Sequence, residues 1–292
     1  MKNYFINPEE KRLRAGWRIG IFFVVYILFS RVLTKLAFSL TGKLDRTTWD
    51  WWVARGFLVI IASTIVVWLV RKFIDKKSFV SLGLKFNSLA VKDFFVGLGI
   101  SALMIGALYI VFLSIGLIEI KSIGWAGNIS AVLGIIFWFF GIGLAIGWSE
   151  ELVFRGYILQ NMKEGMGIKL AVIISCILYG VMHMANPGST ILSGTLIALI
   201  GFLRIYGWLS TGQLWLSMGM HAGWDFIQGP ILGLTVSGMK TESLMVSNIY
   251  GAEWLTGGSF GPEAGILVLP FLALGLIVMF LYTRNRKIQL KE

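Results

Sequence analysis

The sequence is poor in charge and contains one cysteine and two histidines. Charged residues make up 14% of its 292 positions and hydrophobic residues 57%, which excludes an ordinary soluble domain. The single cysteine, Cys176, excludes a disulfide within the chain. The sequence also lacks low-complexity tracts and internal repeats. A single membrane domain is the economical interpretation of these absences.

Long apolar segments take the place of the missing charge. A bilayer core about 30 Å thick requires roughly 20 apolar residues per spanning helix, and the sequence provides this length repeatedly. It therefore predicts an all-α polytopic membrane protein with about eight transmembrane helices. Because the first segment is too long for a signal-peptide core, we expect an uncleaved signal anchor. The predicted spans are 17–40, 51–70, 94–117, 130–160, 170–185, 190–209, 213–234 and 262–282.

Basic residues lie in alternate loops of this predicted arrangement. They precede the first span, fill the loop 71–92, follow the fourth span and end the chain. The positive-inside rule then places both termini and the even-numbered loops in the cytoplasm. The net charge of +11 is thus a topology signal, and we expect the lipid bilayer rather than nucleic acid as a partner. The main outer loop is expected at 231–261.

Ionisable residues at membrane depth are costly and are therefore candidates for function. The stretch AIGWSEELVFRGYI carries two adjacent carboxylates, Glu150 and Glu151, followed by Arg155. Glu151 and Arg155 are four residues apart and share a helical face, so they are predicted to form an ion pair. That pairing leaves the Glu150 carboxylate turned elsewhere and free for chemistry.

Both histidines of the sequence fall within predicted spans. With a rise of about 1.5 Å per residue, Glu150, His183 and His221 all lie roughly 12 to 20 Å from the cytoplasmic ends of their spans. These groups are therefore expected to converge near mid-membrane. Asp225 follows His221 at i+4 and is predicted to orient its imidazole through a hydrogen bond. Tyr179 stands one turn before His183 and is expected to position that ring through its hydroxyl.

Other basic residues within the spans are interpreted structurally. Arg31, Lys35 and Arg55 can extend towards the interface or form ion pairs. Arg204 lies near the cytoplasmic end of its span and is predicted to set helix orientation. For the whole polar constellation, a buried network that only fixes helix packing is the structural alternative.

A carboxylate with two imidazoles in an apolar cavity suits the activation of water for hydrolysis. Other intramembrane protease chemistries fit poorly. The sequence has no His-Glu-x-x-His motif, and a paired-aspartate site would lack its second intramembrane aspartate. Ser193 has no general base in its own segment. Cys176 lies roughly 10 Å from His183 by helical rise, too far for direct contact.

Three motifs in this order resemble the CPBP intramembrane proteases, also called the CAAX-protease-and-bacteriocin-processing or Abi family. The pattern is Glu-Glu-x-x-x-Arg, then aromatic-x-x-x-His, then His-x-x-x-Asp, and it covers about the second half of the chain. The segment LTGGSFGPEAGI is similar to one that opens the last helix in bacterial members. The site residues that the resemblance implies are Glu150, Glu151, Arg155, His183, His221 and Asp225.

Two positions depart from the family pattern. The family's second motif usually begins with Phe, where this chain has Tyr179. The third motif ends in Asn in the eukaryotic CAAX endopeptidases, where this chain has Asp225. Because a carboxylate repels a developing oxyanion, orientation of His221 is the favoured role for Asp225.

The resemblance implies an intramembrane endopeptidase, commonly classed as a metalloprotease, that cuts membrane-associated peptides or proteins. In the implied mechanism, Glu150 and His183 activate the attacking water, His221 and Asp225 hold or polarise the carbonyl, and the neighbouring ion pair braces the site. A divalent metal such as zinc could bind Glu150, His183 and His221. A glutamate and histidine pair can also activate water without a metal, so the cofactor stays open.

Two further functional classes are compatible with such a chain. One is a catalytically silent scaffold or regulator on the same fold, because a fold does not fix a function. The other is a proton-coupled transporter, although the broken helices in matching halves that would support it are absent. The intact set of acids and histidines favours the enzyme.

The sequence divides into four predicted parts. They are a cytoplasmic N-terminal segment 1–16, N-terminal transmembrane helices 17–129, a catalytic transmembrane core 130–283 and a cytoplasmic basic tail 284–292. The short chain carries no retrieval signal for the endoplasmic reticulum, so we expect a bacterial multi-pass protein of the plasma membrane.

Overall fold

The structure is a computed structural model that describes residues 4–41, 49–124 and 129–286. The N-terminal half contains β1 (Ile6–Asn7), β2 (Arg12–Leu13), α1 (Ala15–Thr41), α2 (Trp49–Leu69), α3 (Ser88–Ser114) and β3 (Ile118–Ile123). The C-terminal half contains α4 (Ile129–Trp138), α5 (Ala145–Glu150), α6 (Leu159–Met166), α7 (Ile168–His183), α8 (Ile191–Thr211), α9 (Trp215–Phe226), β4 (Met245–Ile249), α10 (Glu253–Thr256) and α11 (Leu269–Thr283).

Six helical segments in the described part of the chain are long and apolar enough to cross a membrane. They confirm the predicted all-α polytopic membrane fold. The fifth and seventh predicted spans are shorter helices, α7 of 16 residues and α9 of 12 residues, so the predicted number of eight is approximate. The six long segments are Ala15–Leu36, Val53–Ile74, Ser88–Ser114, Gly134–Met166, Ile191–Thr211 and Ile266–Thr283.

The fourth span alternates between α-helical and π-helical turns. Helices α4, α5 and α6 are joined by π-helical stretches at Phe139–Leu144 and Glu151–Ile158. Helix α5 ends at Glu150, so the second π-helical stretch begins between the two adjacent carboxylates. Such π-helical stretches occur frequently at functional sites because they redirect the side chains that follow.

Helix α9 is short and deeply embedded, with residues 216–225 all buried. Glycines bring its backbone against α3. A Cβ atom at Gly219 would lie 1.9 Å from the carbonyl oxygen of Phe94, and one at Gly97 would lie 2.2 Å from that of Leu216. Small residues that allow this close approach are typical of helix interfaces in membranes. The packing therefore fixes the position of α9 within the bundle.

One end of the bundle brings together segments that the basic-loop pattern assigns to one side. Gln160 of α6 donates a hydrogen bond to the Leu82 carbonyl oxygen, in the loop 71–92, at 2.8 Å. Arg286, after α11, donates to the Asp93 carboxylate at the start of α3 at 2.8 Å. These contacts agree with the predicted alternation of loops, whereas residues 287–292 of the predicted tail lie outside the described residues.

The same end contains a buried ionic network, here called the Asp75 cluster. The Asp75 side chain is 0% exposed and lies 2.8 Å from Arg71 Nη1 and 3.5 Å from Arg18 Nη1. Glu164 accepts hydrogen bonds from Arg12 at 2.8 Å and from Arg18 at 2.9 Å. The cluster consists of Arg12, Arg18, Arg71, Asp75, Tyr157, Asn161 and Glu164.

The other end of the bundle carries a two-stranded antiparallel sheet. Strand β3 pairs with β4, with Ile118 opposite Ile249. The Tyr109 hydroxyl of α3 and the Ser247 hydroxyl of β4 are joined by a hydrogen bond of 2.8 Å. The segment that follows α9 therefore folds back over the end of the bundle and is tied to α3.

Candidate active site

The predicted site residues converge on one cavity inside the bundle. The cavity has a volume of about 210 Å³ and receives side chains from α2, α5, α7, α8 and α9. Four of the six predicted residues line it, namely Glu150, His183, His221 and Asp225. The remaining two, Glu151 and Arg155, are buried beside them. The convergence predicted from the depths of these residues in their spans is present.

Glu150 faces the cavity, since it is one of the lining residues and its side chain is 30% exposed. Its Oε2 accepts a hydrogen bond from the Tyr179 hydroxyl at 2.9 Å. The same oxygen lies 4.0 Å from His183 Nε2 and 3.8 Å from His221 Nε2. These two distances are too long for direct hydrogen bonds. The carboxylate therefore has one fixed partner and two imidazole neighbours across short gaps.

Glu151 points away from the cavity, and its side chain is 0% exposed. Its Oε1 lies 3.2 Å from Arg155 Nη1, so the predicted ion pair is present. The same oxygen lies 2.8 Å from His221 Nδ1, a contact that helical spacing within one segment does not predict. Arg155 also donates to the carbonyl oxygen of Gly201 at 3.2 Å. Glu151 thus connects the fourth span to α9, and Arg155 connects it to α8.

The partner of the His183 ring indicates its tautomer. His183 Nδ1 lies 2.9 Å from the backbone carbonyl oxygen of Tyr179, which can only accept a hydrogen bond. The proton is therefore on Nδ1, and the Nε2 lone pair faces Glu150. The predicted contact between the Tyr179 hydroxyl and His183 is wrong, because that hydroxyl binds Glu150 instead. The backbone of Tyr179 orients His183, and its side chain orients the carboxylate.

Asp225 does not make the predicted hydrogen bond to His221. Its Oδ2 lies 3.6 Å from His221 Nε2, and both ring nitrogens have closer partners. Spacing of i, i+4 places the two residues on one face, but the short Asp225 side chain does not reach the ring. Glu151 fulfils the orienting role that the sequence assigned to Asp225. Asp225 remains a lining residue of the cavity.

Arg204 is the site residue that sequence reasoning missed. It was predicted to set helix orientation, but it is buried and lines the cavity. Its Nη1 lies 2.6 Å from the Tyr179 hydroxyl oxygen and 3.1 Å from His221 Nε2. The long side chain carries the guanidinium away from the span end, which residue numbering along the helix does not show. Arg55 of α2 also lines the cavity, although it was interpreted as structural.

The segment after α9 closes one wall of the cavity, a role the sequence did not specify. Glu263 lines this wall and is 1% exposed. Its carboxylate accepts hydrogen bonds from the Ser237 backbone N–H, at 2.5 Å, and from the Gln228 side-chain amide. Burial raises the pKa of Glu263 to about 7. The similarity of LTGGSFGPEAGI to a family segment did not indicate that Glu263 lines the cavity.

A metal ion does not fit the arrangement of these side chains. Within residues 4–41, 49–124 and 129–286, no group of three or more His, Cys, Asp or Glu side chains is placed to hold one. The lone pair of His221 Nε2 already accepts from the Arg204 guanidinium at 3.1 Å. A permanent positive charge at that position opposes a dication there. The proposed chemistry below therefore uses only groups of the chain.

The part of the chain that contains the site matches a known protein family. Residues 132–227 match the model of the Rce1-like type II CAAX prenyl endopeptidases. The match includes all six predicted site residues and Arg204, and it confirms the resemblance to the CPBP family that the motifs indicated. Glu263 and the first three long helices lie outside it. No curated protein matches the chain.

Proposed function

We propose that the chain is an intramembrane endopeptidase that hydrolyses peptide bonds of membrane-associated peptides or proteins. The observation that carries the proposal is the Glu150 carboxylate, which faces a polar cavity within an apolar bundle beside two imidazoles. The family match at residues 132–227 supports the same class of reaction. Hydrolysis needs a base, a water molecule and a place for the peptide. Glu150 provides the base, and the cavity provides space for water and for the peptide bond beside it.

Glu150 is the proposed general base, with His183 as its partner. A water molecule that donates one hydrogen bond to each of two acceptors holds them about 4.4 Å apart, by ordinary hydrogen-bond geometry. The observed distance of 4.0 Å between Glu150 Oε2 and His183 Nε2 is close to that value. Water held in this way has its oxygen lone pairs directed away from both acceptors and towards a bound carbonyl.

In the proposed reaction, Glu150 carries one proton from the water molecule to the leaving nitrogen. The water oxygen attacks the carbonyl carbon while its proton moves to Glu150, and the carbonyl electron pair moves to the oxygen. When the tetrahedral intermediate collapses, the C–N bond breaks and the proton on Glu150 passes to the leaving nitrogen. His221 and Asp225 line the same cavity and assist from its wall. Glu151 and Arg155 keep His221 and the fourth span in position.

The proposed location is a bacterial plasma membrane with both termini in the cytoplasm. The shared bundle end of the basic loops supports the alternation of sides, and the positive charge assigns that end to the cytoplasm. Single cysteines introduced into the loop 71–92 in a Cys176→Ala background test this. They should react with a membrane-impermeant thiol reagent only after the membrane is permeabilised. Labelling of that loop on intact cells would show that the chain has the opposite orientation.

The decisive experiment compares membranes that contain the wild-type chain with membranes that contain Glu150→Gln. New peptide N-termini should appear only with the wild-type chain, because Gln preserves shape but cannot take the proton. A wild-type sample treated with a chelator should give the same termini if no metal takes part. If no terminus distinguishes the two proteins while both fold and insert equally, a silent scaffold replaces the enzyme. Loss of termini on chelation would restore a metal mechanism.

A further inference from the structure

The proposed hydrolysis creates a negative charge on the carbonyl oxygen, and this charge needs a hydrogen-bond donor. Tyr179 and the predicted site residues that line the cavity with Glu150 have few donors to spare. His183 uses its one N–H on the Tyr179 carbonyl oxygen, and the Tyr179 hydroxyl donates to Glu150 itself. His221 uses its Nδ1 proton on Glu151, and its Nε2 accepts from Arg204. An ionised Asp225 accepts only.

Arg204 is the exception among these side chains. An arginine carries five N–H donors and keeps its positive charge, and the two contacts of Nη1 use no more than two of the donors. The guanidinium also lines the cavity. It is held by the same Tyr179 hydroxyl that binds Glu150, so one side chain fixes the base and the cation relative to each other.

We propose that Arg204 is a catalytic residue that binds the developing oxyanion through its guanidinium N–H groups. The inference rests on the proposed hydrolysis and assigns the electrophilic role to Arg204 instead of His221 and Asp225. Arg204 donates hydrogen bonds without transferring a proton. The negative charge that forms on the carbonyl oxygen is neutralised while the tetrahedral intermediate exists and disappears when the C–N bond breaks.

Three variants separate this role from a general effect of charge. Arg204→Ala removes the guanidinium, and Arg204→Lys keeps the charge without the fork of donors. Arg55→Ala is the matched control, because it removes another guanidinium from the wall of the same cavity. Single-turnover cleavage of a peptide that the wild-type chain cuts should fall about 100-fold in Arg204→Ala, the loss typical of a missing oxyanion donor. It should fall less in Arg204→Lys and least in Arg55→Ala.

Two readouts distinguish catalysis from structural support. A phosphonate analogue of the cleaved peptide mimics the tetrahedral anion, and its affinity for Arg204→Ala should fall by a factor similar to the loss in rate. The affinity for the uncleaved peptide, measured in a Glu150→Gln background, should stay the same with or without Arg204→Ala. Added guanidinium at millimolar concentration should restore part of the rate of Arg204→Ala and none of the rate of Arg55→Ala.

The outcomes also separate this inference from the proposed function. A wild-type chain that cuts no peptide in membranes overturns both. Cleavage by the wild-type chain together with an undiminished rate in Arg204→Ala overturns the role of Arg204 alone. Equal losses of affinity for the peptide and its phosphonate analogue would make Arg204 a substrate-binding residue instead. If Arg204→Ala does not fold, the same comparison made with Arg204→Lys decides the question.

Discussion

The Asp75 cluster and the cavity around Glu150 are both buried sets of charges in the same bundle, yet they are built differently. Asp75 is 0% exposed, and Arg18, Arg71, Tyr157 and Asn161 all direct hydrogen-bond donors at its carboxylate. Around the cavity, Glu150 receives one hydrogen bond from the residues that the structure describes and is 30% exposed.

The two carboxylates differ in how much of their hydrogen-bonding capacity is used by groups of the chain. In a structural network the charged groups pair with one another, because every unpaired buried charge costs free energy. A reactive group has to keep part of its capacity for a molecule that is not yet bound. Glu150 and Glu151 are adjacent in the fourth span and differ in their partners, because Glu151 Oε1 contacts both Arg155 and His221 whereas the Glu150 side chain stays 30% exposed to the cavity. Removing the negative charge of each carboxylate in turn should therefore separate effects on activity from effects on stability.

The largest effect is expected for Glu150→Gln. The cleavage rate should fall by about 100-fold or more, because the general base is lost. The melting temperature should change little, because the amide keeps the shape of the side chain and can still accept from the Tyr179 hydroxyl. Cleavage assays and thermal unfolding of the purified protein measure the two quantities. A normal cleavage rate for this variant would rule out the mechanism.

Glu151→Gln should damage both properties. The substitution leaves Arg155 without its buried partner and weakens the hydrogen bond that orients His221. We expect a loss of about 3 kcal/mol in stability, the lower end for breaking a buried ion pair, together with reduced activity. Thermal unfolding and cleavage by the residual folded fraction check this. A stable but inactive Glu151→Gln beside an unstable Glu150→Gln would exchange the assigned roles.

Asp75→Asn should affect stability alone. Two arginines, Arg18 and Arg71, lose their shared anion, which should cost about 3 kcal/mol and lower the yield of folded protein. The Asp75 cluster does not line the cavity, so the rate per folded molecule should stay near that of the wild-type chain. Measuring rate against the folded fraction makes this distinction. A folded Asp75→Asn protein that is inactive would show that the two regions are coupled.

The smallest effect is expected from pH, through Glu263. Because burial raises its pKa to about 7, above the ordinary value of 4.5, the folded chain holds this proton more tightly than the unfolded chain does. Its contribution to stability is complete below about pH 4.5, declines as pH rises from there, and is lost above about pH 7. Glu263→Gln should therefore flatten the change in melting temperature between pH 5 and pH 7 by a few degrees, on the order expected for single substitutions. An identical pH profile in both proteins would contradict the raised pKa.

Periodicity and depth were sufficient to predict three of the helices that carry the site, α5, α7 and α9. Glu150, His183, His221 and Asp225 all line one cavity because the depth of a residue in a span depends only on its distance along the chain. The Glu151–Arg155 pair followed from i, i+4 spacing for the same reason.

Contacts between helices were beyond that reasoning. The Glu151–His221 hydrogen bond and the position of Arg204 depend on how α8 and α9 are rotated against the fourth span, and one sequence does not contain that rotation. Glu263 and Ser237 reach the cavity through an irregular segment with no period to follow. The predicted hydrogen bond from Asp225 failed because sharing a face does not guarantee contact.

The shortness of α9 has a consequence for how the chain enters the membrane. Its 12 residues, with the five π-helical residues Ile227–Ile231 that follow, rise roughly 25 Å, less than the roughly 30 Å of hydrocarbon, and the helix carries His221 and Asp225. Such a segment has little tendency to leave the translocation channel by itself. Helix α8 precedes it after a turn of three residues, so the two should be released together as a hairpin. The glycine contacts with α3 can then form only after α9 has been synthesised, about 100 residues later than α3.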